Sequence, residues 1–282
     1  MQRDKHTTMK YTEDFIQLVK SKRFNYLGVG NPNAKILIIG KEAAIDKSSD
    51  QYQTEICDNC HQWETNITNH IYYDNLLDNS LNNKNINPLY PYKGQKCEVR
   101  CEIKQTDENE NENVKLRGEY GTSRTWTAYQ KLYDLIADKP KKGKEDDIDF
   151  HKYVFTSDLS TETAPMSNMT DLDDTQKSIQ ERNDLFSYLS HFPIIIVAAG
   201  HYPKMYGFDM ETVFNVKWES PTLDVGNKFI NIHFDEKKKR ILIHTNQLSF
   251  YSNELLEQIA SQIRNFIIKD LHQDNIIKYL EE

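Results

Sequence analysis

The sequence predicts an α/β fold with three layers, α/β/α, built on a short, mainly parallel four-stranded sheet. Two observations support this prediction. Short runs of β-branched and aliphatic residues recur along the chain, and each stops at a cluster of polar residues. Between these runs, apolar residues repeat at the spacing of amphipathic helices. Strands that alternate with helices are typical of a parallel sheet covered on both faces.

The four strands of this sheet are predicted at residues 35–39, 153–157, 193–197 and 240–244. Each run is too short and too rich in Ile and Val for a buried helix, which favours a strand. Residues 227–249 contain two such runs joined by a charged turn, and the second of them is the last strand of the sheet. Right-handed crossovers are the expected connections between parallel strands.

Amphipathic helices are predicted between and after these strands. Residues 11–24 place Phe15, Leu18 and Val19 on one face. A helix begins after Ser and Thr caps in the segment GTSRTW at 121–126, and one continuous helix covers 170–192. The last long helix has Ser252 as its predicted N-cap.

The chain is predicted to form a single domain over residues 1–282, with a polar insertion at about 45–118 after the first strand. Asn, Asp, Tyr and Lys dominate the insertion, and its apolar residues show little periodicity. Its tail, QTDENENENVK at 105–115, is an acidic segment of low complexity. We expect this tail to be a solvated loop.

The formal net charge of −8 argues against a protein that coats nucleic acid without sequence preference. Such binding requires surplus Lys and Arg to neutralise phosphates. No apolar run approaches the roughly 18 residues of a membrane span, and the segment MQRDKHTTMK lacks the apolar core of a signal peptide. We therefore expect a cytoplasmic protein without a membrane partner.

The four cysteines form two close pairs, Cys57 with Cys60 and Cys97 with Cys101. In a reducing compartment such pairs are more often metal ligands than disulfides, because a tight turn lets two thiolates face one tetrahedral ion. One interpretation is therefore a structural zinc ion held by all four thiolates. The other is two pairs of reduced cysteines without metal, since the turns lack the usual glycines. No cofactor is expected for catalysis.

Polar residues follow the first and the last predicted strands. Glu42 comes shortly after the strand at 35–39, and His244 ends the strand at 240–244. The carboxyl ends of parallel strands meet at one edge of a sheet, where ligands bind in open α/β folds. The sequence thus predicts a cleft that brings Glu42 and His244 together.

Two segments resemble motifs of the uracil-DNA glycosylase superfamily. Residues 40–44, Gly-Lys-Glu-Ala-Ala, resemble the family's first motif, which follows its first strand. Residues 244–249, His-Thr-Asn-Gln-Leu-Ser, resemble its second motif, which follows its last strand. The lead-in GNPNAKILIIG at 30–40 is also similar, and the resemblance covers most of the chain in order. It implies the family's fold, a short parallel sheet between helices.

The resemblance also implies roles for individual residues. Glu42 stands where the family places the residue that positions water against the anomeric carbon of the sugar. His244 stands at the family's histidine, which hydrogen-bonds a carbonyl oxygen of the departing base, and Leu248 at the wedge that replaces a flipped base. Contacts to the base or to DNA are also implied for Lys41, Ala44, Asp158, Ser160, Thr245, Asn246, Leu248 and Ser249.

Each of these residues also has a purely structural interpretation. Glu42 is alternatively a solvated carboxylate or a residue at a helix start, where the helix dipole favours it. His244 is alternatively a histidine at a strand end whose hydrogen bonds go to the backbone. Leu248 and Ser249 are alternatively a buried leucine and a helix cap.

Two functions therefore stay open. The first is a DNA glycosylase that hydrolyses the N-glycosidic bond of a flipped, modified or deaminated base. The second is a catalytically inactive protein of the same fold that binds a nucleobase, a nucleotide or a protein partner. Glu42 and His244 favour the first, and the negative net charge favours the second. Uracil specificity is not predicted, because the loop after the second strand offers Asp158 and Ser160 instead of an asparagine.

Overall fold

A seven-stranded mixed sheet organises the part of the chain that the computed structural model describes, which is residues 10–73, 87–98, 122–164 and 170–282. Its strands in chain order are β1 (Val29–Gly30), β2 (Ile36–Gly40), β3 (Val154–Asp158), β4 (Ile194–Val197), β5 (Lys217–Val225), β6 (Lys228–Phe234) and β7 (Ile241–Thr245). They lie side by side in the order β1-β3-β2-β4-β7-β6-β5. The α/β class predicted from the sequence is confirmed.

The centre of this sheet consists of the parallel strands β3, β2, β4 and β7, which match the four predicted strands to within a residue. Their register is continuous, because Ile39 pairs with Ser157 and Val197, and Val197 pairs with His244. The first of these strands in sequence, β2, lies between the second, β3, and the third, β4. The order in which strands are added across the sheet therefore reverses at β2. In open α/β sheets, ligands bind beyond the carboxyl ends of the strands at such a reversal.

The predicted four-stranded sheet is too small, because three antiparallel strands extend the parallel centre. β1 pairs with β3 on one side, and the hairpin of β5 and β6 pairs with β7 on the other. Residues 217–225 gave no strand signal because most of their side chains are exposed and Pro221 interrupts them. Strand β1 has only two residues, which is too short to produce a period in the sequence.

Helices cover both faces of the sheet. In chain order they are α1 (Glu13–Ser21), α2 (Asp50–Tyr52), α3 (Asn59–Thr68), α4 (Arg124–Ile136), α5 (Leu172–Glu181), α6 (Asn183–Tyr188), α7 (Tyr202–Met205), α8 (Met210–Phe214), α9 (Asn253–Asn265) and α10 (Ile276–Glu281). Short 3-10 or π-helical turns lie at Gln53–Cys57, Phe150–Lys152, Leu189–His191, Leu248–Phe250 and Phe266–Asp270. Helices α4 and α9 pack on the face that carries Ile38 and Ile196, whereas α1, α3, α5 and α6 pack on the face that carries Leu37 and Ile195.

Both predicted serine caps are confirmed, and one predicted helix is interrupted. The Ser123 hydroxyl accepts from the backbone N–H of Trp126 at 3.2 Å, and the Ser252 hydroxyl accepts from that of Leu255 at 3.1 Å. The helix predicted over 170–192 is divided, because α5 ends just before Arg182 and α6 begins just after it. Within the described ranges, no helix is both long and apolar enough to span a bilayer.

The polar insertion contains ordered structure where it is described. Helix α3 lies within it, and the fully buried ring of Trp63 packs edge-to-face on Phe15 with 5.0 Å between ring centroids. Trp63 Nε1–H and Asn59 Nδ2–H both donate to the Gly28 carbonyl oxygen at 3.0 Å. The helix was missed because polar groups help to anchor it, which leaves few apolar residues to reveal a period. Residues 74–86 and 99–118 of the insertion, including the acidic tail, lie outside the described residues.

A glycine at position 30 allows β1 to approach β3 closely. The backbone of Gly30 has φ +97°, and a Cβ atom there would lie 2.2 Å from the Val154 carbonyl oxygen. We expect Gly30→Ala to lower the free energy of unfolding by about 2 kcal/mol or more, because a side chain forces both backbone strain and a clash. Urea denaturation followed by circular dichroism measures this loss.

The matched control is Gly143→Ala, at a position where the nearest atom to an added Cβ is Asp146 Oδ2 at 3.4 Å. That distance is an ordinary contact, so the control should change stability by only about 0.5 kcal/mol. Equal losses in the two variants would contradict the role assigned to Gly30.

Candidate functional site

A pocket of about 150 Å³ opens at the carboxyl ends of the parallel strands. It is several times larger than the roughly 30 Å³ that one water molecule occupies in the liquid. Glu42 follows β2, Asp158 ends β3 and Gln247 follows β7, and all three line it. The pocket therefore lies where the parallel topology predicts a ligand site.

Aromatic rings form much of the pocket wall. Tyr26, Tyr92, Trp126 and Tyr129 all line it. The Trp126 ring lies 5.3 Å from the Tyr92 ring and 5.8 Å from the Tyr129 ring, which it meets edge-to-face. Such contacts stabilise the rings in fixed orientations. The pocket is therefore lined in part by aromatic rings that hold each other in place.

Two further carboxylates besides Glu42 line the pocket, and each is oriented by neighbours. Glu55 accepts hydrogen bonds from Gln51 Nε2 at 2.7 Å and from the Tyr92 hydroxyl at 3.1 Å. Asp158 Oδ2 accepts from the Tyr26 hydroxyl at 3.4 Å. Burial, and then the charge of Asp158, raises the pKa of Tyr26 well above its usual value, so this hydroxyl keeps its proton.

The position of Asp158 depends on the glycine that ends β2. A Cβ atom on Gly40 would lie 2.5 Å from Asp158 Oδ1 and 3.6 Å from the Tyr129 hydroxyl. Only a residue without a side chain leaves the carboxylate this space. Gly40 thus contributes to the shape of the pocket, although it does not line it.

A buried arginine lies behind this wall. Arg182 is 4% exposed, and its guanidinium donates to the Tyr26 carbonyl at 2.7 Å, the Ser157 hydroxyl at 2.9 Å and the Asp158 carbonyl at 3.1 Å. It also lies over the rings of Tyr26 and Phe186, at 5.3 and 5.5 Å from their centroids. Burial lowers its pKa to about 10, and it stays charged at neutral pH. Arg182 therefore fixes the segments that carry Tyr26 and Asp158.

A buried histidine packs on the other side of the aromatic wall. His151 is 0% exposed, and its ring lies 4.8 Å from that of Trp126 and 6.2 Å from that of Tyr92. Neither ring nitrogen has a hydrogen-bond partner among the described residues. Burial lowers its pKa to about 3, so the ring is neutral above that pH. His151 supports the rings of the pocket without facing the ligand space.

The structure brings Glu42 into the pocket but not His244. Both lie near the carboxyl ends of parallel strands at the same edge, yet the His244 side chain lines a separate groove with His233, Asp209 and Trp218. Its Nε2 lies 2.6 Å from the Gly200 carbonyl oxygen, and because a carbonyl only accepts, Nε2 carries the proton. Burial lowers the pKa of His244 to about 4. The predicted meeting of the two side chains is wrong, because β7 continues through Thr245 and His244 lies within the sheet.

The remaining residues of the second motif have structural roles. Leu248 is fully buried in the apolar cluster that includes α4 and α9, so it is not an exposed wedge. The Thr245 hydroxyl donates to the Phe229 carbonyl at 2.7 Å, and Asn246 Oδ1 accepts from the Phe229 N–H at 2.9 Å. Ser249 Oγ is buried, and it has no hydrogen-bond partner in the described part of the chain. These contacts favour the structural interpretation of the segment.

Of the predicted site residues near the ends of β2 and β3, some line the pocket and others lie outside it. Ala44 and Asp158 line the pocket. Lys41 instead directs Nζ over the ring of Tyr202 in α7, 4.5 Å from the centroid. Ser160 is buried, and its hydroxyl accepts from the Glu162 N–H at 3.0 Å, which closes the loop after β3.

The predicted zinc site involves four cysteines, three of which lie in the described residues. Cys60 and Cys97 belong to apolar clusters on opposite faces of the sheet, and burial raises the pKa of both thiols. Cys57 is half-buried, and Cys101 lies outside the described residues. No group of three or more His, Cys, Asp or Glu side chains suited to a metal occurs in the described ranges. The four-cysteine site stays an untested prediction.

Several pocket residues were not recognised in the sequence. Glu55, Asn59 and Gln62 come from the insertion and line the pocket together. Their i, i+4, i+7 spacing is that of one helix face, and this polar repeat was a usable signal. Tyr26 and Arg182 gave no such signal, because their contacts join segments far apart in the sequence.

We expect Arg182→Lys to lower the free energy of unfolding by about 2 kcal/mol. The ammonium group of lysine cannot donate to all three acceptors that the planar guanidinium reaches. Some buried acceptors are therefore left without a hydrogen-bond donor. Urea denaturation at pH 7 measures the change. The control is Arg264→Lys, at a partly exposed site where the arginine binds Asp138 and the Leu135 carbonyl, and it should cost less than about 1 kcal/mol. Similar losses in both variants would contradict the role of Arg182.

Acid should destabilise the protein through His151. The pKa of His151 is lowered in the folded state, so the unfolded chain binds a proton at a higher pH than the folded protein does. The free energy of unfolding should therefore be highest above about pH 6.5 and should fall as the pH drops towards 3. Between pH 7 and pH 5 the free energy of unfolding should decrease by about 2 kcal/mol through His151. We expect His151→Phe to remove that part of the pH dependence in urea denaturation. An unchanged slope in the variant would show that His151 is not the group that titrates.

Comparisons with known proteins do not assign this chain to a family. No protein-family model, curated protein or solved structure matches it. The feature that bears on function is therefore the pocket at the carboxyl ends of the parallel strands, which three carboxylates and four aromatic rings line.

Proposed function

We propose that this protein is a DNA glycosylase-like hydrolase that cleaves the N-glycosidic bond of a flipped, modified or deaminated base. The observation that carries the proposal is the position of Glu42. Its carboxylate follows the first parallel strand and lines a small aromatic pocket at the carboxyl edge of the sheet. The resemblance of residues 40–44 to the first motif of the uracil-DNA glycosylase superfamily supports the same assignment.

The chemistry of N-glycoside hydrolysis suits a carboxylate in this position. The bond between the anomeric carbon and the base nitrogen breaks, its electron pair leaves with the base, and positive charge develops on the sugar ring. A nearby carboxylate stabilises that charge and orients the attacking water. The water oxygen then bonds to the anomeric carbon, and its proton passes to the carboxylate and from there to the departing base. Glu42 is the residue proposed for both tasks.

The walls of the pocket suit a base taken out of a duplex. Enzymes that act on a flipped base hold it between aromatic or apolar side chains and hydrogen-bond its edge. Trp126 and Tyr92 are aromatic side chains that line the pocket here. Gln247, which follows β7 and lines the pocket, takes the base contact that the sequence assigned to His244. Its amide both donates and accepts, so it can contact a carbonyl or an amino group.

The second candidate function is a catalytically inactive protein that binds a nucleobase, a nucleotide or a protein partner with the same pocket. Two observations favour it. His244 is hydrogen-bonded to Gly200 outside the pocket, and Leu248 is buried in the core. The protein then lacks two of the parts that the glycosylase resemblance implies.

We expect Glu42→Gln to lower the rate of base release by about a hundredfold or more, because the amide keeps the shape of the side chain and loses its charge. The assay uses single-stranded and duplex oligonucleotides with one uracil, hypoxanthine, xanthine or mismatched base, and it scores abasic sites. Binding of the same oligonucleotides should be retained.

The matched control is Glu181→Gln, an exposed carboxylate at the end of α5. It should leave the rate unchanged. If the unaltered protein releases no base from any oligonucleotide yet binds a nucleobase, the enzyme proposal fails and the binding function replaces it.

A further inference from the structure

A second groove lies beside strands β5, β6 and β7, away from the pocket. Its volume is about 340 Å³, at the lower end of the roughly 300–1,000 Å³ typical of small-molecule sites. Strands β6 and β7 contribute Asn231, His233 and His244 to its lining, and the segment 203–211 and strand β5 contribute the rest. None of the described residues that line this groove also lines the pocket around Glu42.

We infer that this groove is a second ligand site, which binds a small neutral molecule through an amide whose N–H and C=O point to the same side. The lactam of a nucleobase and a primary carboxamide both carry such a cis-amide edge. The inference goes beyond the proposed function and does not depend on it. It rests on one donor and one acceptor that the sheet places side by side.

The two groups belong to residues that face each other across the sheet. Asn231 of β6 and His244 of β7 are directly opposite partners in the antiparallel ladder. The side chains of such partners lie on the same face of the sheet, with Cβ atoms about 4.5–5.5 Å apart. Both side chains line the groove. Their polar ends are therefore close enough to bind neighbouring atoms of one ligand.

His244 presents the acceptor. Its Nε2 carries the proton and donates to the Gly200 carbonyl oxygen at 2.6 Å. Gly200 in turn donates its N–H to the Thr245 carbonyl oxygen at 2.9 Å, and the ring of Phe229 meets the imidazole edge-to-face at 5.0 Å. Burial lowers the pKa of His244 to about 4, so the ring is neutral at pH 7. In this neutral tautomer Nδ1 is an acceptor.

Asn231 presents the donor. Its Oδ1 accepts from the Thr222 hydroxyl at 2.7 Å, and this bond fixes the orientation of the amide. The other end of the amide is Nδ2, which carries two N–H donors. Thr222 belongs to β5 and also lines the groove. The hydrogen bond between two neighbouring strands thus determines which end of Asn231 is available to a ligand.

A donor beside an acceptor discriminates between kinds of amide. The trans amide of a peptide directs its N–H and C=O to opposite sides, so one peptide group cannot bind both atoms. In a lactam or a primary carboxamide, the carbonyl accepts from Asn231 Nδ2 while the N–H donates to His244 Nδ1. The apolar side chains that line the groove, Phe208, Met210 and Trp218, provide contacts for the rest of the ligand.

Two pairs of ligands test the inference by isothermal titration calorimetry at pH 7. Inosine has a lactam N–H and C=O, and purine riboside lacks both. Nicotinamide has a primary carboxamide, and methyl nicotinate, of nearly the same size, has no N–H. We expect the amide of at least one pair to bind roughly tenfold more tightly than its partner, because the partner leaves a protein group unpaired. The pair that shows the preference identifies the source of the amide. No preference in either pair would overturn the inference.

A variant in the groove links this preference to Asn231. In Asn231→Asp the carboxylate keeps an oxygen for the Thr222 hydroxyl, but it has no N–H to donate and it repels a ligand carbonyl. The variant should lose most of the preference, with the fold checked by circular dichroism. The matched control is Asn253→Asp, at an exposed position in the first turn of α9, which should keep the preference. A preference that survives Asn231→Asp unchanged would contradict the assignment to this groove.

Binding in the groove and release of bases are separate results. A preference for the amide without release of any base from the oligonucleotides leaves this inference standing and rejects the hydrolase. Base release without a preference in calorimetry leaves the hydrolase standing and rejects the inference.

Nitrogen-15 NMR of the histidine rings tests the acceptor in the unaltered protein. When the preferred amide saturates the groove, the Nδ1 signal of one neutral histidine should move upfield, because that nitrogen receives a hydrogen bond. Histidine signals that stay unchanged at saturation would overturn the role of His244, whatever the stability of the variants.

Discussion

The buried guanidinium of Arg182 joins the parts of the chain that build the pocket. It binds the end of β3 through Ser157 and Asp158, and the segment before β1 through the Tyr26 carbonyl. A charge enclosed in protein is tolerated only when dipoles or counter-charges surround it, and here hydrogen-bond acceptors and two aromatic rings do so. Arg182 lies in the break between α5 and α6. This interruption in the helical layer therefore positions the arginine whose hydrogen bonds fix the residues of the pocket at the sheet edge.

The pocket combines acidic side chains with aromatic rings, and neighbouring residues fix the positions of its carboxylates. Gly40 leaves room for the Asp158 carboxylate, and the hydroxyl of Tyr92 orients Glu55. His151 is polar, but its ring is neutral at pH 7 and packs against the aromatic rings. Among the described residues that line the pocket, three are carboxylic acids and none is Lys, Arg or His. Contacts to the phosphates of a nucleic acid would therefore have to come from groups outside the pocket.

The residues of the predicted site that line the pocket are those that stand at strand ends. Glu42, Ala44 and Asp158 line the pocket because each stands at or just beyond the carboxyl end of a parallel strand. His244 lies within β7, both in the prediction and in the structure. Because side chains alternate across a strand, the face that His244 occupies is set by its position relative to the other residues of β7 and not by where the strand ends. His244 thus shares the face of Leu242 and meets Gly200 instead of the pocket.

The sequence by itself determined the α/β class, the four central strands and the two serine caps. These features depend on local patterns: the run length of apolar residues, the helical period, and a hydroxyl just ahead of a helix. Tertiary structure alone decided that Glu55 from the insertion, Tyr26 and Arg182 meet at the end of β3. It also decided that β5 joins the sheet. These contacts join residues far apart in the chain and involve polar or exposed side chains, and neither their partners nor their burial follows from the order of neighbouring residues.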